Sequence, residues 1–439
     1  MRKDVFINLL TSLNINEKEL YELAKDTGFI KRTRKIDSLD FMHALILESI
    51  QGIASYNDIA VSIENERAIS ITRQAIWKKV TESCVDYFKF VLALVILGKT
   101  KKYYNENEIN KYKFNRILIQ DSTIIRLPKR LFKLFSGVSN AHSTVCHARI
   151  QGIFDLLSGR FISFTINPYS KNDQACVSYM KIEKDDLTLR DRGYLTMDEI
   201  KRHIQTGAHC IYRYKTGMQL LDYNTAEPIN ILAILQKENT LDLMVRLNDK
   251  DRTPVRIAAK PVDQETADNR RRKAKKEMKG HHPSKQFLQL QSWSVYITTI
   301  PSEKADVNTL LEIYALRWRI EIVFKSWKSN LHFDYTHNVS NNQLFIIIMA
   351  RMIMFLLLTQ IIYEPCKTLI YNNMNKSLSL LKVTKYLSRN PQKIMEVLIE
   401  LQNYSGKLSR SIKALALFCA YEQRRKRQNF NQKLCILFA

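Results

Sequence analysis

Hydrophobic period changes twice along this chain, near residues 110 and 306, and no other feature constrains its fold as tightly. Up to about 110, apolar residues recur at helical spacing, as in LDFMHALILESI (39–50) and VDYFKFVLALVIL (85–97). The pattern then shortens. RILIQDSTIIRLP (116–128) is a β-type run that ends at Asp121. ARIQGIFDLLSGRFISFTINP (148–168) alternates around a Leu157-Ser158-Gly159-Arg160 turn and predicts a hairpin. DDLTLRDRGYLTMDEIKRHI (185–204) predicts a strand, a tight Asp191-Arg192-Gly193 turn and a helix. Strand-like segments fill 206–305, broken by the basic stretch RRRKAKKEMKGHHPSK (270–285). Helical sequence resumes at Asp306, a residue well placed to cap, and runs to the end. The order predicts an α/β domain interrupted by a β-rich block, with no internal repeat.

Composition narrows the functional class. At 439 residues the chain has room for about two to four domains, and 45% hydrophobic with 10% aromatic residues excludes global disorder. Only 11 Gly and 9 Pro exclude collagen-like or linker-rich architectures. Neither GxGxxG nor GxxxxGK occurs, which argues against Rossmann and P-loop enzymes. Against 43 acidic residues stand 68 basic ones; the net charge of +25 calls for a polyanionic partner, most simply nucleic acid. Seven scattered cysteines predict reduced thiols, and Cys146 beside His147 is too little for a zinc site. The N-terminus shows no signal-peptide pattern. The apolar run at 344–363 is broken by Arg351 and Gln360, so it predicts a buried core helix of a cytoplasmic protein with no membrane partner.

Chemistry concentrates in the helix after Asp306. Tyr314, Arg317, Glu321 and Lys328, spaced by three, four and seven residues, fall within an arc of roughly 60° at about 100° per residue. That face suits either a metal-assisted phosphodiester site or an exposed helix with i,i+4 ion pairs. Asp121 and Asp191 close two strand-like runs, the place where α/β folds carry their chemistry. With Glu321 they form an oxygen-only set suited to two magnesium ions. Asp185, Asp186 and Asp198 compete with Asp191, but they precede the strand or fall in the next helix. The segment 55–80 has helix-turn-helix character, with Arg73, Gln74, Lys78 and Lys79 either reading DNA or forming a solvated basic face. Arg270, Arg271, Arg272, Lys273, Lys275, Lys276 and Lys279 form a phosphate-tracking surface or a solvated loop, and His281 and His282 are loop residues. Arg424, Arg425, Lys426 and Arg427 are open to the same two readings.

The segment YALRWRIEIVFKSWK, with Tyr314, Arg317, Glu321 and Lys328, resembles the Tyr-Arg-Glu-Lys signature of bacterial insertion-sequence DDE transposases of the IS-four family. QDST (120–123) and DRGY (191–194) are similar to that family's first and second Asp motifs, in the same order. The resemblance covers roughly 110–365 and implies an RNase H-like catalytic core interrupted by a β-strand insertion. The division that follows is a helical DNA-binding region (1–110), core (111–205), insertion (206–305), core (306–365) and a helical C-terminal region (366–439) with a possible dimerisation role. It implies catalysis and metal binding by Asp121, Asp191 and Glu321, and phosphate contacts from Tyr314, Arg317 and Lys328. It further implies Mg2+ (Mn2+ substituting) and no small-molecule cofactor. The partners would be double-stranded DNA, as inverted-repeat ends and target, and a second copy of the chain in a bacterial, nucleoid-associated homodimer. Trp293, 28 residues before Glu321, is either the family's base-stacking tryptophan or a core residue. The expected activity is cut-and-paste strand cleavage and transfer. An inactive transposase-derived DNA binder and a general nuclease of the same core fold stay open as alternatives.

Overall fold

Polar caps set the ends of the first helices in a computed structural model that describes residues 1–32, 35–98, 112–137, 145–277 and 282–422. Helices α1 (Lys3–Thr11), α2 (Glu17–Asp26), α3 (Ser38–Gln51), α4 (Tyr56–Arg67), α5 (Arg73–Lys79) and α6 (Glu82–Leu97) fill the N-terminal region. Asn16, Asp37 and Thr72 each accept a backbone N–H of the following turn, and Ser55 forms a reciprocal capping box with Asp58. These caps confirm the helical reading of 1–110 over the described residues.

The chain then enters β1 (Ile117–Arg126), β2 (His147–Asp155), β3 (Arg160–Pro168) and β4 (Leu187–Arg190), followed by α7 (Met197–Thr206) and β5 (His209–Arg213). β6 (Leu220–Asp222), α8 (Ile231–Glu238), β7 (Leu241–Leu247), β8 (Pro254–Pro261), α9 (Gln264–Glu277), α10 (Lys285–Leu290) and β9 (Trp293–Thr298) complete the strand-rich stretch. All nine strands join one sheet in the order β3-β2-β1-β4-β5-β9-β8-β7-β6. β1, β4 and β5 run parallel, while the other neighbouring pairs are antiparallel.

Two expectations need correction. β1 does not end at Asp121 but continues to Arg126, because Ser122–Arg126 keep pairing with β2 after the parallel partner β4 has stopped at Arg190. The basic stretch read as a break at 270–285 is helical as far as Glu277. The β2–β3 hairpin and the strand–turn–helix at 187–206 form as expected, the hairpin turn placing Gly159 at φ +69°.

Asp306 caps α11 (Val307–Ala315) through the Thr309 N–H at 2.9 Å, and α12 (Trp318–Asn330) follows. α13 (Asn341–Leu357) passes through a π-helical turn (Leu358–Tyr363) into α14 (Glu364–Met374), and α15 (Leu380–Arg389), α16 (Gln392–Gln402) and α17 (Arg410–Phe418) close the fold. The helix spanning Asn341–Met374 is long and apolar enough to cross a membrane, yet 94% of its most apolar window is buried against the protein. Arg351 explains how a cation tolerates that core. Its guanidinium donates to the carbonyls of Ser49 (2.9 Å), Gly52 (2.8 Å) and Tyr335 (3.2 Å), two of them at the C-terminal end of α3. One hydrophobic core runs from Val5 to Cys419, and a second lies around β5–β9 and α8.

Candidate active site

The parallel register of β1 and β4 builds the floor of the site. Gln120 stands opposite Arg190, so the residues that follow them, Asp121 within β1 and Asp191 just past the end of β4, emerge side by side from neighbouring parallel strands. Behind β4, Arg190 is fully buried and pairs with Glu199 of α7 at 2.5 Å, donating also to Tyr212 and to the Val177 carbonyl. The ion pair anchors the strand end that carries Asp191. Among the competing acids, Asp186 is buried at the opposite end of β4, held by Arg116 at 2.5 and 3.0 Å, and Asp198 lies in the first turn of α7.

Glu321 comes from α12, which packs over the sheet at Gly152 of β2 through Phe324. A Cβ there would stand 3.1 Å from Phe161 and 3.5 Å from Phe324 of α12. Asp121, Asp191 and Glu321 line one open cleft of about 480 Å³, together with Arg317, Lys325 and Lys328. Arg317 bridges two of the acids: Nη1 lies 2.7 Å from an Asp121 carboxylate oxygen and Nη2 lies 2.6 Å from one of Glu321. Burial pushes the Asp121 carboxyl up to about 6, opposed by Arg317 and by the Ser122 N–H at 2.8 Å. Burial lowers the Lys328 ammonium, opposed by Asp334.

The four-residue helical face is only partly realised. The helix breaks between Ala315 and Trp318, where i→i+3 bonds such as Arg317 N–H to Tyr314 carbonyl tighten the turn. At about 120° per residue in place of 100° the phase slips. Tyr314 turns inward, 6% exposed, with its hydroxyl donating to the Arg190 carbonyl at 3.3 Å and its ring 4.7 Å from Tyr296. Arg317, Glu321 and Lys328 face the cleft, and so does Lys325, which the sequence reading omitted although it stands four residues beyond Glu321.

The other basic candidates divide. Arg270 donates to the Trp293 carbonyl (3.2 Å) and Ser294 (3.1 Å), and Arg271 to Asp268 (2.7 Å), Leu288 and Ser292, so both clamp α9 to its neighbours. Arg272 and Lys273 are exposed, Arg272 touching Asn269 and Lys273 lying 3.7 Å from Glu277. Trp293 is half-buried at the edge of the second core, its indole N–H donating to the Asn239 carbonyl at 3.0 Å. Arg73 is exposed on α5, whereas Lys78 and Lys79 line an open groove of about 940 Å³ with Lys31, Arg32 and Lys35. Those last three cations, upstream of α3, went unnoticed in the sequence because they are neighbours of α5 only in space. Lys279, His281 and Arg424, Arg425, Lys426 and Arg427 lie outside the described residues.

The donor set in the cleft is all carboxylate oxygen, which suits a hard divalent cation, and Arg317 already places positive charge between two of the three acids. Among the described residues, no three acidic, His or Cys side chains stand close enough together to share an ion as they lie.

An acidic cleft with a cationic rim, on a chain of net charge +25, defines a protein that works on a phosphodiester polyanion. The chain belongs to the transposase DDE domain family, whose profile matches residues 112–357, and is thus a transposase, an enzyme that cuts and transfers DNA. It is 24% identical over 420 residues to the transposase of insertion sequence element IS231B from Bacillus thuringiensis subsp. berliner, covering 87% of each chain. To the transposase of IS1151 from Clostridium perfringens it is 25% identical over 428 residues, covering 91% of this chain and 89% of that one. A piggyBac transposase solved as a synaptic complex with hairpin DNA is similar at TM-score 0.46 and 8% identity, over 97% of this chain and 87% of that one.

Proposed function

We propose that the chain is a cut-and-paste transposase of the IS-four family, with Asp121, Asp191 and Glu321 as its catalytic carboxylates. The observation that carries this reading is the convergence of those three acids in one cleft, from the middle of β1, the end of its parallel neighbour β4 and a facing helix. The order β3-β2-β1-β4-β5, with β2 alone antiparallel, supports an RNase H-like core. The second hydrophobic cluster supports the reading of the strand-rich block before Asp306 as an insertion that extends the sheet beyond β5.

In this mechanism Asp121, Asp191 and Glu321 would hold Mg2+, or Mn2+ in its place. When bound, the metal supplies Lewis acidity at the scissile phosphate and lowers the cost of deprotonating the attacking water or 3′-hydroxyl. Arg317, Lys325 and Lys328 neutralise phosphate oxygens around the cut and fix the backbone for in-line attack. Tyr314 acts from beneath, its hydroxyl bonded to the Arg190 carbonyl next to Asp191. The cations around α5 bind the terminal inverted repeats, and a homodimer pairs two ends in the bacterial cytoplasm.

The test is cleavage of labelled duplex carrying the element's own ends, with Mg2+ against EDTA. Metal-dependent nicks at the repeat tips are expected. Asp121→Asn, Asp191→Asn and Glu321→Gln should each abolish cutting while leaving end binding intact. Full cleavage by any of the three overturns the assignment. Equal cutting of unrelated duplex would mark a general nuclease instead.

A further inference from the structure

The catalytic cleft of the free protein is held by its own arginine, and we propose that Arg317 is a latch that keeps divalent metal out until DNA phosphate draws it away. Resting on the metal-site reading above, this adds a regulation of that site. The geometry is specific. One guanidinium edge sits at 2.7 Å on Asp121 and the other at 2.6 Å on Glu321, on side chains 17% and 33% exposed, and Arg317 itself is 13% exposed. The two acids lie 200 residues apart in sequence, and the guanidinium joins them. Asp191 has no ion-pair or hydrogen-bond partner for its carboxylate among the described residues, so two of the three acids are compensated and one is not.

A divalent ion entering this cleft must displace a planar cation that already satisfies both carboxylates with charge-assisted bonds. A phosphodiester offers the guanidinium an equivalent bidentate acceptor. Once DNA lies along the cleft, Arg317 trades carboxylate for phosphate, and the acids are released to the metal. Metal and DNA therefore bind cooperatively, and by linkage each strengthens the other by the same factor. The consequence is a transposase whose metal centre assembles only once DNA phosphate lies in the cleft.

The experiment is Mn2+ titration of the full-length protein followed by electron paramagnetic resonance, alone and with a short duplex, for wild type and Arg317→Gln. In wild type the duplex should tighten Mn2+ binding by roughly ten- to a hundredfold. Arg317→Gln alone should bind Mn2+ tighter than free wild type by a similar factor, with little further gain from duplex. Arg317→Lys, which retains the charge but cannot bridge both acids, should fall between them and serves if the glutamine variant fails to fold. Equal Mn2+ affinity of free wild type and both variants overturns the latch. Adding Asp121→Asn or Glu321→Gln separates the two readings. If tight Mn2+ binding by Arg317→Gln survives those changes, the metal-site assignment itself is wrong.

Discussion

Burial decides the protonation of individual residues here, and His203 shows the consequence most simply. It is wholly buried in α7, with Nδ1 donating to the Glu199 carbonyl at 2.7 Å and Nε2 accepting from the Thr188 hydroxyl at 2.8 Å. Burial pushes its pKa down from 6.5 to about 4. In that interval the unfolded chain binds a proton that the folded chain refuses. Stability is therefore intact above 6.5 and is lost as pH falls towards 4, by about 3 kcal/mol. Urea unfolding at neutral and mildly acidic pH should show this loss in wild type and a distinctly smaller one in His203→Gln. Identical pH dependence in the two proteins would rule out His203 as its source.

At the scale of elements, the site depends on how close α12 comes to the sheet. Gly152 is the contact point, since any Cβ there meets Phe161 and Phe324. Gly152→Val should force α12 outward, costing about 1–3 kcal/mol by overpacking. Because Glu321 rides on α12, a displacement near 1 Å should also slow cleavage by about a hundredfold. Thermal melts and single-turnover cleavage would show both effects; unchanged cleavage would mean that helix height does not set the site. The phase of the same helix was only partly legible beforehand. Periodicity correctly anticipates a helix started by Asp306, but not the tightened turn at Leu316 and Arg317 that breaks its phase. That turn is why Tyr314 braces the floor while Arg317 faces the acids.

The whole molecule is tied together through α13. Its apolar surface joins the N-terminal helices to the sheet, and Arg351 closes off α3 from within the core. Arg351→Leu would leave three carbonyls without this donor, with an expected loss of about 3 kcal/mol. Hydrogen exchange should localise the weakening to α3 and its neighbours; protection unchanged there would argue that the core carries the junction without the arginine. On the same scale, the charge of +25 acts as a field. DNA affinity should fall steeply and log-linearly with salt, as counterion release requires.

What the sequence determined was whatever short-range periodicity and residue chemistry can encode. The positions of the helical and strand-rich stretches, the cap at Asp306, the buried helix around 344–363 and the order of the three acids all belong to that class. The tertiary structure alone decided which side chains meet. Arg317 reaches an aspartate 196 residues away, Lys31, Arg32 and Lys35 join Lys78 and Lys79 around one groove, and Arg270 and Arg271 turn from the basic surface into clamps. The physical reason is that a local pattern specifies which face of an element is apolar, whereas the partner of a charged side chain depends on strand register, helix phase and the approach of distant elements.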